Sequence, residues 1–176
     1  MSGEHHAVDI ENIDGLYSYA LVLTRNRTDA EDLVQETYLR AIGAKKELRP
    51  NSNLRAWMFT ILRNVWLNQV RRRRTGPQVI SADGDQQTAN SIIEPGQGAH
   101  QKYESNELRD QVRAAIMQLP EEFSEIILLR EYEELPYQEI ATVLNCPIGT
   151  VMSRLARARS RLRILLSALL TPAQNK

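Results

Sequence analysis

LPYQEIATVLNCPIGTVMSRLARARSRLR, Leu135 to Arg163, is the stretch whose reading decides the fold. Pro136 suits the first turn of a helix, where its missing N–H costs nothing. Ile140, Ala141, Val143 and Leu144 follow as an apolar stripe. Asn145, Cys146 and Pro147 break that helix, and Gly149 and Thr150 stand at the start of the next. Val151, Leu155, Ala158, Leu162, Leu165, Leu166 and Leu169 then recur at helical spacing. At about 100° per residue the opposite side carries Ser153, Ala156, Arg157, Ser160 and Arg163. Arg154, Arg159 and Arg161 flank it. A helix with small residues outside fits closely into a groove, and its arginines reach bases and phosphates. The layout is a helix-turn-helix.

Charge placement separates this reading from an ordinary helical hairpin with a solvated basic face. From Cys146 to the C-terminus there are six basic residues and no acid, whereas Leu108 to Asn145 holds eight acids and three arginines. A merely solvated surface mixes the signs. A second acid-free tract, Leu48 to Ala82, contains seven arginines. The formal net charge of zero therefore hides two basic regions separated by acidic sequence.

Working back toward the N-terminus, Ser105 is a candidate cap for a helix striped by Leu108, Val112, Ala115, Ile116 and Leu119. Pro120-Glu121-Glu122 opens the next, with Phe123, Ile126 and Ile127 inside. Thr75 to Ser105 is rich in Gly, Pro, Gln, Asn and Ser and poor in large apolar residues, a composition that reads as a flexible linker. Before it, Asn53 caps a helix running to about Arg74, with Leu54, Trp57, Met58, Ile61, Leu62 and Val65 as its buried face. Thr60, Asn64, Asn68 and Arg71 lie beside that face at one-turn spacing. Its closing run, Arg71 to Arg74, suits both the negative end of a helix dipole and a phosphate backbone.

Thr28 and Glu31 form a capping-box pattern for an earlier helix. Its core stripe is Leu33, Val34, Thr37, Tyr38, Ala41 and Ile42, and Gly43 reads as its stop. Asp29, Asp32, Gln35 and Glu36 stay outside. Val8 to Thr24 carries Ile13, Leu16, Tyr17, Ala20 and Leu23 at helical spacing. No segment alternates as a strand would. The expected fold is all-α: two small helical domains, 8–75 and 106–170, joined by a flexible linker over 76–105.

In this order the blocks resemble an extracytoplasmic-function (ECF) sigma factor, of the sigma-70 family of bacterial RNA polymerase subunits. Thr28 to Ala41 is similar to the family's polymerase-docking helix, Asn53 to Arg74 to its promoter −10 helix, and Leu119 to Arg163 to its −35-binding domain. The resemblance implies that Asp29, Asp32, Gln35 and Glu36, with Leu33, dock on the clamp helices of the polymerase's largest subunit. It places Asn53, Asn64, Asn68, Arg71 and Arg72 at the −10 element, and the loop Leu48 to Asn53 where a flipped base is captured. It places Thr150, Met152, Ser153, Arg154, Ala156 and Arg157 over the −35 element, with Arg159 and Arg161 on phosphates. Met152 stands where many relatives have a basic residue, and Asn68 where many have an acid. An anti-sigma partner covering the docking surface is also implied.

A conventional helix-turn-helix regulator with an N-terminal sensing domain is the alternative, but it has no use for an acid-free, Asn-lined arginine helix. An enzyme is not supported by any nucleophile–base pair, phosphate loop or metal-ligand spacing. Cys146 is the only cysteine, and His5 and His6 lie far from His100, so neither a zinc cluster nor another cofactor is expected. No run reaches the roughly 18 apolar residues of a membrane span. A cytoplasmic protein without membrane insertion is the expectation.

Overall fold

The computed structural model describes residues 13–44, 52–75 and 101–170. All regular elements among them are helical. The N-terminal half has α1 (Ile13–Thr24), α2 (Arg27–Ala44) and α3 (Leu54–Thr75). The C-terminal half has α4 (Gln101–Gln118), α5 (Glu121–Ile127), α6 (Tyr137–Leu144) and α7 (Ile148–Leu170). Residues 8–12 of the expected first helix, most of the 48–53 loop and 76–100 of the expected linker lie outside the described residues.

The turn from α1 to α2 is built by Arg25, at φ 55°, and by Asn26. The Asn26 Oδ1 accepts the Asp29 N–H at 3.0 Å. Asn26 thus caps α2 ahead of the expected Thr28–Glu31 box, so Thr28 lies inside the helix. Asn53 does cap α3, its Oδ1 accepting from the N–H groups of Arg55 at 3.0 Å and Ala56 at 3.3 Å. The α4 backbone begins at Gln101, so Ser105 lies within the helix rather than at its start, and the expected boundary at 106 falls inside α4.

The helix-turn-helix follows its sequence closely. Asn145 sits in the left-handed region at φ 49°. Cys146 N–H bonds the Ala141 carbonyl at 3.0 Å, and Asn145 N–H bonds that of Thr142 at 3.2 Å. This pair of bonds is a Schellman stop, with Asn in the place glycine often takes. Pro147 then accepts from Thr150 and Val151 to start α7. Ile140, Val143, Leu144, Val151, Leu155 and Ala158 are all buried, with α6 against α7 and α3, and α7 against α5.

Before α6 the helical path widens. After α5 the chain makes a π-helical turn, Leu128–Tyr132. Glu133 N–H reaches back to the Leu128 carbonyl at 3.0 Å. The extra residue in this turn swings Glu133 inward, where it is buried.

The two halves pack together. One hydrophobic cluster runs through both, with α1 against α5 and α3 against α6. At the junction Tyr19 and Phe59 are fully buried and meet edge to face, ring centroids 5.4 Å apart. Neither stands in the expected stripes. The reason is physical: Tyr19 bonds Glu125 of the other half and Phe59 packs on the Tyr19 ring, contacts that a stripe read from one helix does not report. Conversely, Ile42, expected in the core, is 64% exposed, and Ile13 and Leu108 are also exposed. Trp57 is only partly buried, at the edge of the cluster.

Candidate nucleic-acid and polymerase interfaces

α7 presents its outer face to solvent as its spacing requires. Met152, Ser153, Ala156 and Arg157 are exposed, and Thr150 and Arg154 are partly so. Arg157 lies back along the helix, its Nε donating to the Ser153 carbonyl at 3.3 Å. Ser153 Oγ in turn donates to the Thr150 carbonyl at 3.1 Å. These local bonds, within α7 itself, hold Ser153 and Arg157 in order.

The flanking arginines are engaged differently. Arg159 Nε donates to Glu131 at 2.8 Å, and that hydrogen bond raises its already high pKa. Arg154 stands 3.6 Å from Glu122. The Arg161 guanidinium lies over the Phe123 ring, 5.2 Å from its centroid. Arg159 is therefore not the unencumbered phosphate contact its position implies, and Arg161 has a packing role besides.

On α3, Asn64 and Asn68 are both exposed, as are Arg71 and Arg72. The neighbouring Arg73 stands 3.9 Å from Asp29 and over the Trp66 ring. Asn53 is held twice: it caps α3, and its Nδ2 donates to Glu139 of α6 at 2.7 Å.

On α2, Asp32 and Gln35 are exposed, Asp29 and Glu36 partly so, and Glu36 is bonded to Arg40 at 2.7 Å. Leu33 is fully buried, so the expectation that it touches a partner fails. It points into the core, and Thr37 Oγ1 bonds its carbonyl at 2.7 Å. Its place on the surface is taken by Leu39 and Ile42, 68% and 64% exposed, which continue the line of Asp32, Gln35 and Glu36 at helical spacing. That spacing was available in the sequence; assigning Ile42 to the core concealed it.

Arg63 and Arg55 were not singled out by the sequence, and both grip the C-terminal half. Arg63 Nε and Tyr19 Oη each donate to Glu125 Oε1 at 3.0 Å. Burial raises the Glu125 carboxyl above its usual range, and Arg63 and Tyr19 pull it partly back. Burial, then the nearby Glu125 charge, pushes the Tyr19 phenol well up. Burial lowers Arg63, but Glu125 outweighs it and the net direction is up. Arg55 forms an ion pair with Glu133, its Nε at 3.0 Å.

A three-helix unit with an acidic outer face and an arginine-ended helix, followed by a helix-turn-helix unit, defines the architecture of a sigma-70-type polymerase subunit. Residues 11–75 match the family described as Sigma-70 region 2, and 109–162 match Sigma-70, region 4. The chain is 40% identical over 155 residues to ECF RNA polymerase sigma factor EcfG of Rhodopseudomonas palustris, covering 88% of this chain and 80% of that protein. It is 36% identical over 152 residues to RNA polymerase sigma-H factor of Pseudomonas aeruginosa, covering 82% and 77%. Among solved structures, the sigma factor RpoE of Bartonella quintana, in complex with the anti-sigma factor NepR, is 32% identical with a TM-score of 0.69, over 89% of this chain and 94% of that one. CnrH, solved with the cytosolic domain of CnrY, shares the fold at 24% identity and a TM-score of 0.59, over 90% and 84%. The chain belongs to the ECF group of the sigma-70 family. It is an alternative sigma factor, which binds core RNA polymerase and directs it to particular promoters to begin transcription. Among the described residues, no helix is long and apolar enough to cross a membrane.

Proposed function

We propose that the two recognition tasks and the docking task fall on three separate faces of this sigma factor. The unit ending at α3 docks on polymerase through Asp29, Asp32, Gln35 and Glu36, joined by Leu39 and Ile42. It reads the −10 element with Asn64 and Asn68, while Arg71 and Arg72 hold phosphates. The helix-turn-helix reads the −35 element with Thr150, Met152, Ser153, Arg154, Ala156 and Arg157. The observation that carries this reading is exposure: Asn64, Asn68, Met152 and Arg157 all face solvent, while the apolar residues of the same helices beside them are buried. Leu33 supports the docking face only from beneath.

The exposed Leu39–Ile42 pair beside acids is also the surface we assign to an anti-sigma partner, as the relative solved with NepR suggests. Work of this kind belongs to the cytoplasm and requires no catalytic group of the chain's own. Replacing Asp32 and Glu36 together by Arg tests the docking face. Both side chains reach solvent, so the fold is expected to survive while co-purification with core polymerase is lost. Undiminished co-purification refutes the assignment.

A further inference from the structure

The outward face of α7 carries an uncharged ridge. Ile148, Met152, Ala156 and Ser160 recur at every fourth residue, and all four are exposed. The ridge tapers toward the C-terminus, from two large apolar side chains to a methyl and then a hydroxymethyl. Ile148, 44% exposed, is engaged on one side: it helps to wall a cleft of about 370 Å³ with Arg130, Pro136, Tyr137 and Gln138. Ala156 ends at its Cβ. Met152, 54% exposed, is therefore the apolar group of this face that reaches furthest.

An exposed apolar residue standing alone is ordinary on a protein surface. Met152 is set apart by its surroundings. The next residues along the chain hold each other: Ser153 bonds the Thr150 carbonyl, Arg157 bonds the Ser153 carbonyl, and Arg154 stands beside Glu122. All five arginines of α7 follow Met152 along the helix, and no acid occurs from Cys146 onward. In helix-turn-helix docking the first turns of the second helix meet base edges, and Met152 lies there. The cations fit a polyanion, while the Met152 side chain fits an apolar group carried by that polyanion. The major groove offers one such group, the C5 methyl of thymine. A thioether donates no hydrogen bond and accepts only weakly, so it distinguishes bases by shape and hydrophobicity alone. Its unbranched, polarizable chain adapts to a small apolar target.

We propose that Met152 is a specificity-determining residue that reads a thymine methyl group in the −35 element by apolar contact. The proposal rests on the assignment of α7 to that element and names what one of its side chains recognises there. The preference is for the methyl itself. Uracil, which pairs and hydrogen-bonds as thymine does, is discriminated against, and cytosine gains from a C5 methyl at the same place. The position is constrained as well. Met152 and Arg157 are five residues apart in the sequence. That is a rise of about 7.5 Å along the helix, or roughly two base-pair steps at about 3.4 Å each. The methyl-sensitive pair thus lies close to the pair that Arg157 reads.

The test uses the full chain as holoenzyme with core polymerase. Promoter-length duplexes randomised at both elements are selected for binding. Each thymine of the preferred −35 sequence is then replaced in turn by deoxyuridine, which removes the methyl and nothing else. With wild type, one replacement is expected to weaken binding about fourfold, the worth of one buried methyl group. At that position 5-methylcytosine should bind better than cytosine by a similar factor. With Met152→Ala, thymine and uracil should bind equally there. Met152→Leu keeps the apolar reach and should keep the uracil effect, and Arg157→Ala should keep it too while losing other sequence preference. A preferred sequence that holds no thymine, or that is indifferent to uracil at every thymine, overturns the proposal alone. So does a uracil effect that persists in full with Met152→Ala. So does a Met152→Ala variant that reads DNA as wild type does but no longer binds core, which assigns the side chain to a protein instead. The absence of any preferred −35 sequence overturns the proposal together with the −35 assignment of α7.

Discussion

Changing Asn64 and Asn68 together to Ala should separate stability from promoter opening. Both side chains are exposed in the C-terminal half of α3, four residues apart on one face. Asparagine is a poor residue inside a helix because its amide competes for backbone hydrogen bonds. Each replacement should therefore gain up to about 0.7 kcal/mol of helix propensity, or about 1 kcal/mol for the pair after partial compensation. For a chain of this size that raises Tm by about 2–4 °C. The functional change has the opposite sign and is larger. If each amide makes a base contact worth about 1–3 kcal/mol, losing both weakens −10 engagement by about 2–6 kcal/mol, roughly 30-fold to more than 10⁴-fold. The assay is permanganate reactivity of −10 thymines in the holoenzyme, alongside a thermal melt and a core-binding measurement. The expected result is a higher melt, normal core binding and little opening. A double variant that melts no lower and opens the promoter normally returns both residues to a solvated helix edge.

The remaining predictions concern other faces. Arg157→Ala should weaken −35 recognition by about 1–3 kcal/mol in a sequence-selective way, measured by binding to matched and mutated −35 duplexes. Arg161→Ala should instead lower the stability of the helix-turn-helix unit by about 0.5–1 kcal/mol through its lost stacking on Phe123, read from the melt; a selective DNA defect there with none at Arg157 reverses the two roles. Leu39→Asp with Ile42→Asp should leave the melt within about 0.5 kcal/mol of wild type, since neither is buried, and abolish core binding in a pull-down. Burial in the folded chain raises the Glu125 carboxyl, so folding takes up a proton there. As pH falls through the raised value toward the ordinary carboxylate range, folding stability should grow through this group, and the increment should vanish above it. Tyr19, Arg63 and Glu121 surround the carboxyl, so the measurement is the difference between wild type and Glu125→Gln in thermal stability across that window.

The elements inside each half were legible because each buries one stripe. Leu16, Ala20 and Leu23 on α1, and Ile140, Val143, Leu144, Val151, Leu155 and Ala158 across the helix-turn-helix, are buried as periodicity requires. The junction between the halves was not legible, and α5 shows why. Phe123 to Ile127 are five consecutive buried residues, including Ser124 and Glu125. A helix enclosed on all sides has no polar face to set a period. Its glutamate reads in sequence as surface until a partner such as Arg63 is placed beside it, 62 residues away. The docking face failed in the other direction. Leu39 and Ile42 carry core-type side chains at positions where the fold leaves them outside, and nothing in a single chain distinguishes an apolar residue awaiting a partner from one already packed.

The charge segregation that pointed to DNA has a second consequence. Acids concentrated between Leu108 and Asn145 are opposite in sign to both basic tracts. In the folded chain they meet those tracts: Glu122 and Glu131 face Arg154 and Arg159 of α7, while Glu125 and Glu133 face Arg63 and Arg55 of α3. The same arginine-rich surfaces that would attract phosphates thus already have anions of their own. On the proposed reading, DNA binding at Arg154 and Arg159 would exchange the carboxylates of Glu122 and Glu131 for phosphates rather than simply neutralise them. An exchange of that kind would weaken condensation of the free protein on arbitrary DNA, because each of those arginines gives up a carboxylate for the phosphate it gains. Asn64, Asn68 and Met152, among the proposed sequence readers, are uncharged and give up no ion pair on binding DNA. Selectivity for a promoter over bulk DNA would then be strengthened by the protein's own acids, without any of them touching a base.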